Sequence, residues 1–414
     1  MPPQRRSRYH LIPRLTHTNV CEIASTKELA LQFLSQSQHM VILSEKLCPK
    51  CSSTISNINY TSGTIGYFTC YKKASHSPKN NVKQTVTKYS FFHHFRHDIR
   101  LIIHFVYWWT KNASYNEAAY ECKKHFCIGN CNSTARRYFT KFRQIARCSI
   151  RLDRLRSPKI GGQMHRVVVD ETKLVAGRQS YWVLGMKDID TNELRLVSLY
   201  GAHRSSRTLI YHLKRNINKR SVIISDDWKG YRKVRNEFWE HVIYNKSRSP
   251  PSVSTCNQKL TTTEYRDLNT NSIEAEWSCL KRFLRHKYDA RYIDEYLYLY
   301  LWMRRCNVRR EDMFLRFFQD LSLIHPPCIN EDDYASFIDN FHNIYGEELI
   351  TGDHIQPLPH NILDDQDVIS EEEIDPIPSP PPPRRRGRPR TVNPVEQPSN
   401  QDVNDRLTRR CNIQ

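Results

Sequence analysis

Two short runs, Val167-Val168-Val169 and Val222-Ile223-Ile224, constrain this chain more than any other feature. Both are apolar at every position, and each leads into an aspartate, Asp170 and Asp226. An unbroken β-branched run suits a strand buried on both faces, as in the middle of an α/β sheet. The neighbourhood reads the same way. Tyr181 to Met186 and Leu194 to Tyr200 read as strands, Ser206 to Ile217 as a helix and His241 to Tyr244 as a fifth strand. Gln258 to Leu268 is polar and loop-like, and a long helix begins near Asn271.

Three strands, helix, strand, helix, strand, helix is the order of an α/β RNase H-like domain. With both runs central, Asp170 and Asp226 emerge side by side at one edge of the sheet. A third carboxylate from a helix completes a cage of hard oxygen ligands for two Mg²⁺ or Mn²⁺ ions, roughly 3.5–4 Å apart. Phosphodiester chemistry needs such a cage, because charge on the phosphate oxygens must be neutralised where it develops. Glu274, Trp277 and Lys281 share one helix face at i, i+3, i+7, whereas Glu276 points elsewhere, which selects Glu274 as third acid with Lys281 beside it. Plainer readings stand next to these. An Asp after a strand also serves as a turn or helix cap, and Asn271-Ser-Ile-Glu274 fits a capping box with Asn271 as N-cap.

Charge points to a polyanionic partner. Residues 1–316 carry 55 Lys/Arg against 25 Asp/Glu, a net +30, while Gln319 to Pro383 contains neither Lys nor Arg. Nucleic acid is the commonest partner of so basic a body. No run approaches the roughly 18 apolar residues of a membrane span; the nearest, Leu101 to Trp109, is interrupted by His104 and reads as a buried helix. The charged N-terminus is not followed by the apolar stretch of a secretory signal. Thirteen cysteines, odd in number and unevenly scattered, then read as reduced thiols, and a short-spaced pair as a metal site rather than a disulfide.

Six blocks occur in an order that resembles Merlin-type DDE DNA transposases, themselves similar to a group of bacterial insertion-sequence transposases. They are Val169-Asp-Glu171, Tyr181-Trp-Val-Leu-Gly185, Ser225-Asp-Asp-Trp-Lys-Gly-Tyr231, Asn269-Thr-Asn-Ser-Ile-Glu274, Trp277-Ser-Cys-Leu-Lys281 and Tyr300-Leu-Trp-Met-Arg304. The resemblance covers about 165–308. It implies Asp170 and Asp226 as the first two acids, Glu274 as the third and Lys281 as a contact to DNA phosphate. In some bacterial relatives an Asn takes the third role, which keeps Asn271 as runner-up. Where relatives tend to show Asn-His-Ser after the fifth strand, this chain has Asn245-Lys246-Ser247.

The N-terminal half supplies candidates for DNA binding. Ala24 to Met40 has helical spacing behind a Ser25-Thr26 cap, and Asp98 to Trp109 reads as a helix. Cys48-x-x-Cys51 is half of a zinc ribbon, and zinc needs four ligands for a closed structural site. Relatives supply a second Cys-x-x-Cys; here Cys70 stands where it starts, Lys73 takes the next cysteine's place, and His76 is a displaced fourth candidate. An intact ribbon and a decayed one are both open. Tyr115 to Phe126 and Ser133 to Cys148 read as a helix-turn-helix whose second helix carries Arg136, Arg137, Lys141, Arg143 and Arg147, with Tyr138, Phe139 and Phe142 on the apolar side. The alternative is an ordinary basic, solvated helix. Arg386-Gly387-Arg388-Pro389 matches an AT-hook core for the minor groove and equally a nuclear localisation signal.

These readings divide the chain into an N-terminal helical segment (1–40), a zinc-ribbon-like part (41–92), the helix-turn-helix (93–150), the RNase H-like DDE domain (160–310), a helical extension (311–350) and a disordered acidic, Pro-rich tail (351–414). The expected function is a nuclear DNA transposase, a homodimer or larger in its synaptic complex, acting on double-stranded terminal repeats and target DNA. A host-retained or decayed copy that binds DNA without cutting, and an RNase H-like nuclease acting on RNA, are the competing readings.

Overall fold

The computed structural model describes residues 14–345 except 38–39, 41–42, 45, 61–64, 73–81, 94, 96, 127–130, 177–178, 200–203, 286–291 and 329. His76, the AT-hook-like Arg386 to Pro389 and the whole expected tail lie outside the described residues.

The N-terminal part opens with α1 (His17–Ile23) and α2 (Lys27–Gln32). Thr26 caps α2 by accepting from the Leu29 N–H, as the sequence suggests, but the helix expected over Ala24 to Met40 is α-helical only over Lys27–Gln32, and α1 precedes it. A π-turn at Phe33–Ser37 ends α2. Five short strands follow: β1 (Lys46–Leu47), β2 (Thr54–Ile55), β3 (Ile58–Asn59), β4 (Tyr67–Cys70) and β5 (Val82–Thr85). β1 pairs with β2, and β3, β4 and β5 form an antiparallel sheet. Next come α3 (Ile99–Thr110), capped by Asp98, α4 (Tyr115–His125), held by a Ser114/Glu117 capping box, and α5 (Cys131–Arg156). α5 runs well past the expected Cys148, because Ile145, Ala146, Cys148 and Ile150 continue its buried stripe.

The second half is mixed α/β. Its elements are β6 (Arg166–Ala176), β7 (Gln179–Asp188), β8 (Leu194–Ser198), α6 (Ser206–Asn216), β9 (Val222–Asp226), β10 (Glu240–Asn245), β11 (Ser252–Thr255), α7 (Thr262–Tyr265), α8 (Asn271–Leu284), α9 (Ile293–Arg309), α10 (Met313–Ile324) and α11 (Glu331–Tyr345). The six-stranded sheet has the order β11-β10-β9-β6-β7-β8. β6, β9 and β10 run parallel, whereas β7, β8 and β11 are antiparallel to their neighbours. All five expected strands are present. The helix expected between the fourth and fifth is replaced by two 3₁₀ turns, Lys229–Tyr231 and Val234–Asn236. Gly230 lies there under the Trp228 ring, which a β-carbon would approach to 2.2 Å. The expected polar loop holds the one-turn α7, and the edge strand β11 precedes it.

Strand alternation divides the apolar runs between two layers. Val168 and Ile224 point into a core shared with Trp277 of α8 and the buried faces of α3, α5, α9 and α10. Val167, Val169 and Ile223 point to the other side, onto Leu209 and Leu213 of α6 and onto Tyr231. The first core extends without a break from Val20 to Tyr345, so the N-terminal helices and the sheet share one interior. No helix among the described residues is long and apolar enough to cross a membrane.

α5 and α9 are joined inside this interior by an ion pair. The Arg143 guanidinium donates to Glu295 at 2.8 Å, and each side chain is only 4% exposed. Arg143 also donates to Thr140 and is bonded to the Tyr115 hydroxyl at 3.0 Å. Removing one partner strands the other charge away from water. Glu295→Ala is therefore expected to lower unfolding free energy by about 3–5 kcal/mol in urea titration. Replacing both residues with apolar ones of similar volume should cost much less.

Candidate active site

The parallel register of β6 and β9 builds the site. Val168 stands opposite Ile224. Two residues further along each strand, Asp170 and Asp226 occupy matching places on that same face of the sheet. The two are close enough for the charge on Asp226 to raise the pKa of Asp170, although burial contributes more; burial also raises that of Asp226. The Trp228 backbone N–H donates to Asp226 at 3.2 Å.

α8 covers this face with Ile273, Trp277, Leu280 and Leu284, a stripe of helical spacing. From that stripe the Trp277 indole N–H donates to Asp170 Oδ2 at 2.9 Å, orienting the carboxylate. The indole reaches it by crossing β7 at Gly185, the residue paired with Asp170. A β-carbon at Gly185 would lie 2.3 Å from the ring, so the close approach requires glycine.

One turn earlier on α8 is Glu274. The Lys246 ammonium, which follows β10, binds its carboxylate, and the Thr270 hydroxyl donates to it at 2.7 Å. Burial opposes ionisation of Glu274, but these bonds hold its pKa below the usual value. The charge of Lys246 also reaches Asp170 and Asp226. Lys246 therefore pairs with Glu274 while its charge reaches the two aspartates, although the three acids do not bring their oxygens within 4.8 Å of one another in this arrangement. Such a donor set fits Mg²⁺ or Mn²⁺, since partly buried carboxylates gain most from a dense positive charge. Asn245 steadies the Lys246 segment by donating to Asp227 at 2.8 Å.

Glu276 is engaged elsewhere. Lys187, Tyr300 and Arg304 bind it at 2.7–3.0 Å and hold it at a pKa of about 2, as a structural anchor for α9. The N-cap of α8 is Thr270 rather than Asn271, and Thr270 bonds the Glu274 side chain without capping a backbone N–H. Asn271 is the exposed first residue of the helix. Lys281 is exposed seven residues beyond Glu274, roughly 10 Å along the axis, so it borders the carboxylate group without joining it.

Two features beside the acids were not anticipated from sequence. Glu171 points to the opposite face of the sheet from Asp170. Burial, helped by the charge of Asp170 and opposed by the Tyr231 hydroxyl, raises the pKa of Glu171 to about 7. Arg204 is stacked between Trp182, at 3.7 Å, and Trp228, at 4.4 Å, and its charge reaches Glu171 and Asp226. The sequence signal for Glu171 was its place beside Asp170; Arg204 carried none, because its two tryptophans are distant in sequence.

Away from the sheet, Cys48, Cys51 and Cys70 bring their sulfurs within 4.8 Å of one another. Cys51 and Cys70 lie 3.7 Å apart, close to the roughly 3.8 Å edge of a tetrahedral zinc–thiolate site. The Ser52 N–H donates to the Cys48 carbonyl at 2.9 Å, closing the Cys-x-x-Cys turn. Of the basic residues expected to face DNA on α5, Arg136 is exposed and Arg137 half-buried. Lys141, Arg143 and Arg147 are buried against the shared core, which corrects the expectation that the whole row is open. The apolar environment of α9 and α10 recruits their aliphatic stems and pairs Arg143 with Glu295.

Gly185→Ala is expected to push the indole off Asp170, lowering stability by about 1–3 kcal/mol and shifting Trp fluorescence. Glu171→Gln tests the buried carboxyl. Glu171 titrates near 4.5 when unfolded and near 7 when folded, so its protonated form favours the fold and that contribution is lost as pH rises. The melting temperature of the metal-free Gln variant should therefore gain on wild type from pH 4.5 upward and level off above about 7.

No curated protein matches the chain significantly. Residues 160–304, roughly a third of the chain and including all three acids, match the family model described as the ISXO2-like transposase domain, which supports an insertion-sequence DDE transposase family for this α/β half.

Proposed function

We propose that this chain is a DNA transposase of the Merlin type that cleaves DNA at element ends and transfers the strands to a target. The observation that carries the reading is the pairing of Asp170 and Asp226 on the α8 face of the sheet, with Glu274 on α8 bonded to Lys246, whose charge reaches both aspartates. The strand order supports an RNase H-like frame, with β6 flanked by the β7–β8 meander on one side and the parallel β9 and β10 on the other. The family match over residues 160–304 supports the same chemistry.

In this reading Asp170, Asp226 and Glu274 hold two Mg²⁺ or Mn²⁺ ions. When bound, the ions activate a water or 3′-hydroxyl and neutralise charge on the phosphate oxygens. Trp277 fixes the rotamer of Asp170. Lys246 holds Glu274 in the metal-free protein and, once released, contacts phosphate beside Lys281. Arg136 and Arg137 of α5 contact the terminal repeats, while Cys48, Cys51 and Cys70 with a fourth ligand hold a structural zinc. DNA is the double-stranded partner, a dimer pairs two ends, and the nucleus is the site of action.

The test is nicking of a supercoiled plasmid carrying the gene with its genomic flanks, in Mg²⁺ or Mn²⁺. Cuts at defined flanking positions are expected, and Asp170→Ala and Glu274→Ala should abolish them. Asp226→Asn should slow cutting on the order of 100-fold or more. Its DNA affinity should be equal or slightly higher, because a charge that repels phosphate is gone. Undiminished cutting by these variants would sink the assignment of the acids; tight binding without cutting by wild type would favour a retained DNA-binding protein.

A further inference from the structure

The helical N-terminal part contains a second group of metal-type donors, unrelated to the cysteine cluster. His17 and Cys21 are one turn apart on α1, His104 is in the middle of α3, and His125 ends α4. His17, Cys21 and His125 place one ligand atom each within 4.8 Å of the others. Cys21 Sγ lies 3.7 Å from His17 Nε2, near the roughly 3.6 Å between nitrogen and sulfur on a tetrahedral zinc.

The His104 ring packs beside these three, although its nitrogens stand outside the 4.8 Å group in this arrangement. The ring centroids of His17, His104 and His125 form a near-equilateral triangle with sides of 5.5, 5.6 and 5.4 Å. Three imidazoles sharing one tetrahedral ion through Zn–N bonds of about 2 Å have centroids roughly 5 Å apart. His104 is only 3% exposed, and its Nδ1 is buried without a hydrogen-bond partner. A buried polar atom left unpaired in this way costs stability unless something ligates it. Burial and the neighbouring imidazoles also keep the ring neutral, the form that binds metal.

We propose that His17, Cys21 and His125, with His104 turning its ring inward as the fourth ligand, form a structural zinc site that clamps α1 onto α3 and α4. One thiolate with three imidazoles is a borderline-soft donor set that suits zinc, and four protein ligands leave no open position for catalysis. On binding, the Cys21 thiol gives up its proton and sulfur bonds the metal. The clamp serves a clear need. α1 has seven residues, too few to be stable alone. The Leu15 N–H just before it donates to Asp312 at 2.8 Å, so fixing α1 also fixes its docking at the start of α10.

The experiment is zinc content per chain, by plasma mass spectrometry, of the tag-free full-length protein and its variants. Cys51→Ser removes the other cluster from consideration and is expected to retain one zinc. His125→Ala, at an exposed position, and Cys21→Ser should each lose one equivalent, both in wild type and in the Cys51→Ser background. Cobalt added to Cys51→Ser should give the visible absorption of a tetrahedral ion, absent in His125→Ala and restored by His125→Cys. Zinc retained at the wild-type level by His125→Ala, or a metal-free Cys51→Ser protein, overturns the proposal and leaves the three imidazoles as rings packed on one another.

Discussion

The parallel pairing of β6 with β9 is the constraint on which the site depends. Once Val168 faces Ile224, the aspartates two residues on have no choice but to share a face. Burial raises the pKa of both carboxylates, and a neighbouring acid adds to it in each case, Asp226 for Asp170 and Asp227 for Asp226. The surroundings offset it in parts. The Trp277 indole and the Trp228 amide donate to the carboxylates, and Lys246 brings a positive charge to the mouth of the site. The sheet thus holds a standing excess of negative charge at one edge, and the fold around it is arranged to tolerate that excess.

Much of this frame was legible in the sequence, for identifiable reasons. The runs Val167 to Val169 and Val222 to Ile224 are buried on both faces, so their hydrophobicity needs no tertiary information to be read. Glu274 was separable from Glu276 because helical spacing alone sends them to different neighbours, one to Lys246 and the other to Lys187 and Arg304. The capping reading of Asn271 missed by one residue, as helix ends commonly do. Long-range partnership was the part that stayed hidden. Arg143 looks like a DNA contact until α9 supplies Glu295 from 152 residues away. Glu171 looks like an ordinary surface acid until Tyr231 and the sheet enclose it. The histidines of α1, α3 and α4 carry no recognisable spacing, because three separate helices must pack before the rings meet.

The expected boundary between a DNA-reading part and a sheet part also looks different in three dimensions. Val20 of α1 and Trp302 of α9 belong to one continuous interior; α9 packs on α5 more than on the sheet, and α10 packs on α5 and α3. Sequence texture changes near His165 because the secondary structure changes there, not because packing stops.

α5 has a mechanical consequence of its own. Its 26 residues make a continuous rod about 39 Å long. Arg136 is exposed near one end, while near the other Arg154 donates to the Leu196 carbonyl of β8 and to the Tyr298 hydroxyl of α9. No proline or glycine interrupts it. A push on the exposed end is delivered to the far edge of the sheet as a lever delivers it, with little lost to bending. Whatever seats itself against the first turns of α5 is thereby registered to the carboxylates at a fixed offset, as a ruler is fixed to a blade.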